Sequence, residues 1–416
     1  PIFVIFAAYI VWSLITLIPA LNPGEGAVEI SKSLIIFAFL ILATQVFIKY
    51  ENAIDLLTKS VLISSLFATG LGFYQYIVNV GGDTVYTQLM AMYEIKGLMA
   101  HKNQFAISLF LMLPFSIFGI FTFKRLWRGI SVYSTLAIFL NIVILQTRSV
   151  WVAALVFMLS FGLIWILFSS NKNIKSIFKK SLIGLSIIVI VAIGSMFIFK
   201  NSGTVTLLKH QFSSLFDTKS HNNQGRMLIW NSTARLIGDN PIMGVGPGNW
   251  RISIIPYYAQ FHGVDYRNWR RPHNDFLWVM SEKGFLGFIL YFAIFGMIIF
   301  YGFKILLLRK QTDNFLIIVL LLSTLFSYMI IAMFTFPMER INHQIYLMII
   351  MAIIISIYYK GLDEKLLFKT SFGNYIILAL FAISIMSIYF SKIQINSDIK
   401  VLEINKAMNQ KQYKKA

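Results

Sequence analysis

The chain has 416 residues, of which 57% are hydrophobic and only 13% charged, and its formal net charge is +19. Soluble domains carry about 25% charged residues, so the composition, with a mean hydropathy of +0.72, excludes a soluble globular enzyme and indicates an integral membrane protein. Membrane topology accounts for much of the positive balance without invoking nucleic acid, and the absence of cysteine removes disulfide and thiol–metal chemistry.

Eleven apolar stretches are candidates to cross roughly 30 Å of hydrocarbon as helices. They are 2–19, 31–48, 56–79, 104–122, 130–146, 149–168, 181–199, 284–303, 314–335, 343–359 and 374–390. None alternates polar and apolar residues, which a transmembrane β-strand requires. The expected fold is an all-α integral membrane protein with about eleven visible spans and one large loop containing short helices. Four units are expected: an N-terminal transmembrane bundle at 1–199, the loop at 200–283, C-terminal spans at 284–390 and a polar tail at 391–416. The sequence starts at Pro1 inside an apolar run, so the natural chain is expected to extend before it.

The connections separate by charge. One set holds Lys49 and Lys59, then Lys124, Arg125 and Arg128, then Lys172, Lys175, Lys179 and Lys180, then Lys304, Arg309 and Lys310, then Lys360, Lys365 and Lys369. Short basic loops face the cytoplasm. The other set therefore lies on the far side: 22–29, 81–102, the tight turn 146–149, the loop 200–282, 336–343 and the tail. Long loops cross largely regardless of charge, so the basic character of 200–282 does not oppose this.

The far-side connections also hold the chemistry-bearing residues. His101-Lys102-Asn103 opens a span, Arg148 ends a tight turn, and Arg226 and Arg235 sit on an expected helix. His273-Asn274-Asp275 and Glu282 lead back into the membrane, and Glu339-Arg340 follows Pro337. Ionisable groups at the membrane boundary are costly to desolvate and mark function or a pair. Each also has a plainer role: Arg148 and Lys102 as helix caps or snorkelling groups, Arg340 as partner of Glu339 or Glu282, His273 as a solvated loop histidine. Arg267, Arg270 and Arg271 with Trp269 fit anionic lipid headgroups as well as a substrate. The loop's aromatic residues fit an interfacial belt as well as stacking on sugar rings.

Within the loop, 226–238 has helical periodicity with Leu228, Trp230 or Ile229, and Leu236 or Ile237 facing inward, and Pro241 follows its end. GVGPGNW at 244–250 is a set of tight turns and not a phosphate loop, because no GK[ST] ending follows and no strand precedes it. In the tail, AMNQKQYKKA resembles the inter-helix turn of a tetratricopeptide unit, with Tyr413 and Ala416 at typical positions; an amphipathic C-terminal helix fits it equally. One such unit does not bury its apolar face alone, so further repeats are expected beyond Ala416.

The ordered set GLMAHKNQFA, QTRSVWVAA, GRMLIWNSTARLIGDNPIMGVGPGNW, RPHNDFLWVMSEKGFLG and FPMERINHQ resembles the O-antigen ligase and polymerase superfamily over most of the chain. The resemblance implies about twelve spans in the bacterial inner membrane, with the large loop and tail periplasmic. It implies an undecaprenyl-pyrophosphate-linked glycan as donor, and the lipid A core, a protein or a growing glycan as acceptor. It implies an inverting transfer that needs neither metal nor cofactor. Carried onto these residues, His273 is the expected base toward the acceptor hydroxyl. Arg226 is the expected catalytic arginine, and Arg148, Arg226, Arg340 and Lys102 are expected to grip the pyrophosphate. Asn103, Asn274, Glu282 and Glu339 are expected to support them. Asp265, Asp275, Glu282 and Glu339 lie on the same side, but no metal-ligand spacing such as HExxH appears. Membrane lipid, and a protein bound through the tail, are the further expected partners; nucleic acid is not. A glycolipid transporter is the competing class and would show internal repeats and broken helices at the midplane.

Overall fold

The computed structural model describes residues 1–79, 93–169, 221–259, 269–308 and 314–360, with isolated helical positions between 385 and 406. All regular structure among the described residues is helical, as expected of an all-α membrane protein. The helices are α1 (Ile2–Ile15), α2 (Pro23–Lys49), α3 (Ala53–Asn79), α4 (Lys102–Thr122), α5 (Arg125–Leu145) and α6 (Arg148–Phe168). After an undescribed stretch come α7 (His221–Asp239), the one-turn α8 (Trp250–Ser253) and α9 (Ile255–Tyr258), then α10 (Asp275–Leu308), α11 (Phe315–Phe334) and α12 (Ile341–Lys360). A 3₁₀ turn, Pro337–Glu339, joins α11 to α12.

Eight of these helices, α2 to α6 and α10 to α12, are long and apolar enough to cross a membrane. The first expected span, 2–19, is shorter than expected: α1 stops at Ile15 and the chain turns at 16–19. The expected spans 181–199 and most of 374–390, and the tetratricopeptide-like end of the tail, lie outside the described residues.

In hydrocarbon every backbone and side-chain polar group must find a partner within the protein. Several hydroxyls of the spans meet this by turning back onto their own helix: Thr44 donates to the Leu40 carbonyl, Thr69 to Ser65 and Thr324 to Leu320, at 2.7–2.8 Å. The innermost span is α4, which is mostly buried and packs against α3, α5 and α11. Helix α12 lies along α2, α6 along α11, and α1 against α10.

Where α2 was expected to begin at 31, it begins at Pro23, and Asn22 caps it by accepting from Glu25 N at 3.2 Å. Proline at the first helical position, with an Asn cap, is a favoured helix start. Helix α10 likewise extends beyond its expected span of 284–303. Its first nine residues, 275–283, precede a break at Gly284, whose backbone (φ 64°, ψ −170°) is open to glycine and strained for other residues.

That break positions the large loop. It frees the carbonyls of Ser281 and Glu282, which accept from Val245 N at 3.0 Å and Gly246 N at 2.9 Å. Phe285 N in turn donates to the Pro241 carbonyl at 2.8 Å. The GVGPGNW segment is thus a dock for a broken helix. A Cβ on Gly284 would overlap the Ile242 carbonyl. A second clamp comes from the start of α2: Asn22 N donates to Asn249 Oδ1 at 2.7 Å, and Asn249 Nδ2 donates back to the Asn22 carbonyl at 3.1 Å. Above the bundle, Ile229, Leu236, Val245, Trp250, Ile254 and Trp278 form a separate small core. Burial of Ile229 and Leu236 matches the expected inward face of this loop helix.

Candidate functional site

The site is assembled from helix starts. His101 caps α4 in an extended backbone, its Nδ1 accepting from Asn103 N at 3.1 Å. This hydrogen bond assigns the lone pair to Nδ1 and leaves Nε2 to carry the proton in the neutral ring. Lys102 is buried, with Nζ 4.5 Å above the Tyr93 ring. Asn103 Oδ1 accepts from Thr147 Oγ1 at 3.2 Å, which ties the start of α4 to the cap of α6. The turn before α6 places Gln146 in the left-handed region (φ 50°) and so delivers Arg148 as the first residue of α6.

The loop supplies the opposite wall. Arg226 stands near the start of α7 and is half-buried. His273 lies just before α10 with φ 56°, a left-handed conformation that a non-glycine residue adopts only under constraint. The constraint is visible. Trp230 Nε1 donates to the Pro272 carbonyl at 2.8 Å. The imidazole is held edge-to-face between Trp269 (5.7 Å, 88°) and Phe336 (4.9 Å, 73°).

These side chains lie within range of one another's charge. Burial, then the charge of Arg148, draws the Arg226 guanidinium below its usual pKa, though arginine remains a cation at neutral pH. Burial, then the charges of Arg226 and His101, push His273 down to about 4. Burial and the neighbouring Lys102 lower His101 as well. Lys102, His101, His273, Arg226 and Arg148 therefore share a concentrated positive potential, with both imidazoles neutral at pH 7. Among the described residues no ion pair neutralises Lys102 or Arg226. Half-desolvated cations that raise one another's energy form a receptor for a multiply charged anion.

Arg340 flanks this cluster. With the Gln104 amide oxygen turned toward it, its Nε and Nη2 lie 2.8 and 2.9 Å away. Glu339 pairs mainly with Arg271, at 2.8 Å, and more loosely with Arg340, at 3.9 Å. Arg271, weighed from the sequence as a lipid contact, thus belongs to the wall of the site, its guanidinium also 5.0 Å above the Trp278 ring.

Two expected supporting residues have architectural partners. Asn274 caps α10, its Oδ1 accepting from Phe276 N and Leu277 N at 3.0 and 3.1 Å. Glu282 sits in the dock, away from the cation cluster, where it accepts from Trp250 N at 3.1 Å. Gln104 and Phe336 were not singled out from the sequence, although each neighbours a residue that was. His343 is also new: it is fully buried, 3.1 Å from Ser108 Oγ and 2.9 Å from the Gln104 carbonyl, and it braces α12 against α4. Among the described residues no three His, Asp or Glu side chains gather as a ligand set.

Comparison with known families places this geometry in context. Residues 133–292, spanning α6, α7, the dock and the start of α10, match the family model for O-antigen ligase. The resemblance drawn from the motifs is therefore borne out over that segment. That family is one of ligase- and polymerase-type glycosyltransferases, and the match over 133–292 supports an enzyme of that general kind. No curated protein matches the chain.

Proposed function

We propose, with the O-antigen ligase match over 133–292 as premise, that the protein transfers a glycan from an undecaprenyl-pyrophosphate carrier to an acceptor at the periplasmic face of a bacterial inner membrane. The observation that carries this reading is the shared cluster of Lys102, Arg148, Arg226 and the neutral His273, held at one end of the membrane bundle. A lipid carrier presents its pyrophosphate at that depth, where helix ends meet the polar region.

The chemistry follows from the groups. Attack of an acceptor hydroxyl on the anomeric carbon forms one C–O bond and breaks the C–O bond to the carrier's phosphate. The departing pyrophosphate gains negative charge. Arg148 and Arg226, with Lys102 and Arg340 beside them, stabilise that charge through fixed donors in a water-poor site. The neutral imidazole of His273 accepts the hydroxyl proton as the new bond forms. Attack from the face opposite the leaving group inverts the anomeric centre, and arginines in these roles make a metal unnecessary. The described parts of the large loop, 221–259 and 269–283, act as one wall of the site, while α4, α6 and the 3₁₀ turn supply the rest.

The lipid A core is the proposed acceptor, with a protein hydroxyl or a growing glycan as the alternatives within the same chemistry. The test is reconstitution of the purified protein in liposomes with carrier-linked glycan and each acceptor in turn, with and without EDTA. Carrier release that requires the lipid A core and survives EDTA is the expected result. Release with only a protein or glycan acceptor reassigns the acceptor, and glycolipid movement across the bilayer with no acceptor consumed replaces transfer with transport.

A further inference from the structure

Asp275 is fully buried at the start of α10, two residues after His273. Its Oδ2 accepts from Met338 N at 3.0 Å, within the Pro337–Glu339 turn. Its Oδ1 is buried with no hydrogen-bond partner among the described residues, and the same holds for Tyr328 Oη. Tyr328, Tyr291 and Met338 line one cavity between α1, α2, α10, α11 and α12.

A carboxylate is a costly group to bury for packing alone, since an amide or apolar side chain of similar size avoids desolvating a charge. Its placement is specific, however. The turn it holds carries Phe336, which packs on the His273 ring, Glu339, which pairs with Arg271, and Arg340, which faces Gln104. Three contacts therefore cross between the His273 segment and the turn. Asp275–Met338 is the one made by a fully buried side chain and directed at backbone.

We propose that Asp275 is a positioning residue: a latch that fixes the His273 segment to the Pro337–Arg340 turn, so that the imidazole and the cations on both sides keep one geometry. The consequence for turnover rests on the function proposed above, whereas the latch itself is a structural property measurable without substrate. Because Lys102, Arg148 and Arg226 sit on other elements, loss of the latch affects alignment of His273 more than grip on the donor.

The chain has no cysteine, so two introduced cysteines report cleanly. Spin labels at Arg270→Cys and Ile341→Cys, both exposed positions, measure the distance between the two segments in detergent. Asp275→Ala is expected to broaden that distance distribution. Asp275→Asn is expected to keep it narrow, because an amide oxygen still accepts from Met338 N. Met338→Pro removes the same hydrogen bond from the donor side, within the 3₁₀ turn, and it serves if Asp275→Ala does not fold.

In unlabelled protein, Asp275→Ala and Met338→Pro are expected to lower kcat by ~100-fold, on the scale of a displaced proton acceptor. Donor KM is expected to stay within about threefold and Asp275→Asn to restore kcat, as loss of positioning without loss of binding requires. A distribution as narrow in Asp275→Ala and Met338→Pro as in the parent overturns the latch, as does one as broad in Asp275→Asn. If the distances respond but His273→Ala turns over normally, the latch stands and the reading of the site fails. If His273→Ala is inactive while Asp275→Ala keeps full kcat, the site stands and the role of Asp275 fails.

Discussion

Among the residues of the site, charge is the dominant property. Arg226, Arg148 and Lys102 act on each other and on two neutral imidazoles in a partly desolvated space, an arrangement that an anion stabilises. Inorganic pyrophosphate is therefore expected to raise the thermal unfolding temperature of the detergent-solubilised protein. A ligand at about 100 times its Kd adds about 2.7 kcal/mol, and Arg226→Ala should remove most of that gain. An equal rise in wild type and Arg226→Ala would place the anion elsewhere.

The depressed His273 pKa has a definite sign in kinetics. A base must be unprotonated to work, and with a free-protein value of about 4 it stays so well below neutrality. The acidic limb of kcat/KM, which reports free enzyme, is expected near pH 4 to 5. In kcat it should move upward, because bound pyrophosphate offsets the repulsion from Arg226. A kcat/KM limb at the ordinary histidine value of about 6.5 would show that the imidazole is not held in this environment.

At the element scale, the decisive feature is the break in α10 and the dock that satisfies it. The Val245, Gly246 and Phe285 amides take up backbone groups in place of continued helix, while Asn249 and Asn22 exchange two hydrogen bonds. Asn249→Ala leaves Asn22 N without its partner, which costs about 1–3 kcal/mol. Gly284→Ala adds a Cβ against the Ile242 backbone at positive φ and is expected to cost at least as much. Both appear as lowered unfolding temperatures. Asn249→Ala should keep near-normal turnover per folded molecule, since none of its contacts reaches the cation cluster. A loss of kcat without loss of stability in Asn249→Ala would show that the dock takes part in the chemistry.

These elements also show where sequence reading ends. The spans were legible because apolar runs of about twenty residues have no other use in water, and the convergence of Lys102, Arg148, Arg226 and His273 was legible because all four fall in connections on one side. The α2–loop clamp was not, because Asn22 and Asn249 are 227 residues apart and neither sits in a charged or periodic context. The early start of α10 was hidden in the same way. Polar SEKG looks like the end of a loop, and only tertiary hydrogen bonds to the dock reveal it as helix followed by a break. Glu282 was expected near the substrate because a buried acid beside a membrane reads as functional; its partner is Trp250 N.

At the scale of the whole molecule, the end of the bundle opposite the site gathers Lys49, Lys124, Arg125, Arg128, Lys304 and Lys360, the pattern of a cytoplasmic face. Single cysteines introduced into the cysteine-free chain test this orientation in intact inner-membrane vesicles of known sidedness. Cysteine at the exposed Ile242 should react with a membrane-impermeant maleimide only from the periplasmic side, and cysteine at Lys124 only from the cytoplasmic side. The reverse pattern would put the site on the wrong side for a periplasmic transfer.

In the function proposed above, the cation cluster grips the carrier's pyrophosphate and His273 activates the acceptor. The most direct measurement is single-turnover release of undecaprenyl pyrophosphate from a radiolabelled donor, with acceptor present, by wild type, Arg226→Ala and His273→Ala. Wild type is predicted to release the carrier in step with glycan transfer. His273→Ala should bind donor normally but release it at least ~100-fold more slowly, the usual contribution of a positioned base. Arg226→Ala should both bind donor more weakly and release it more slowly. Release at wild-type rate by either variant would contradict the account.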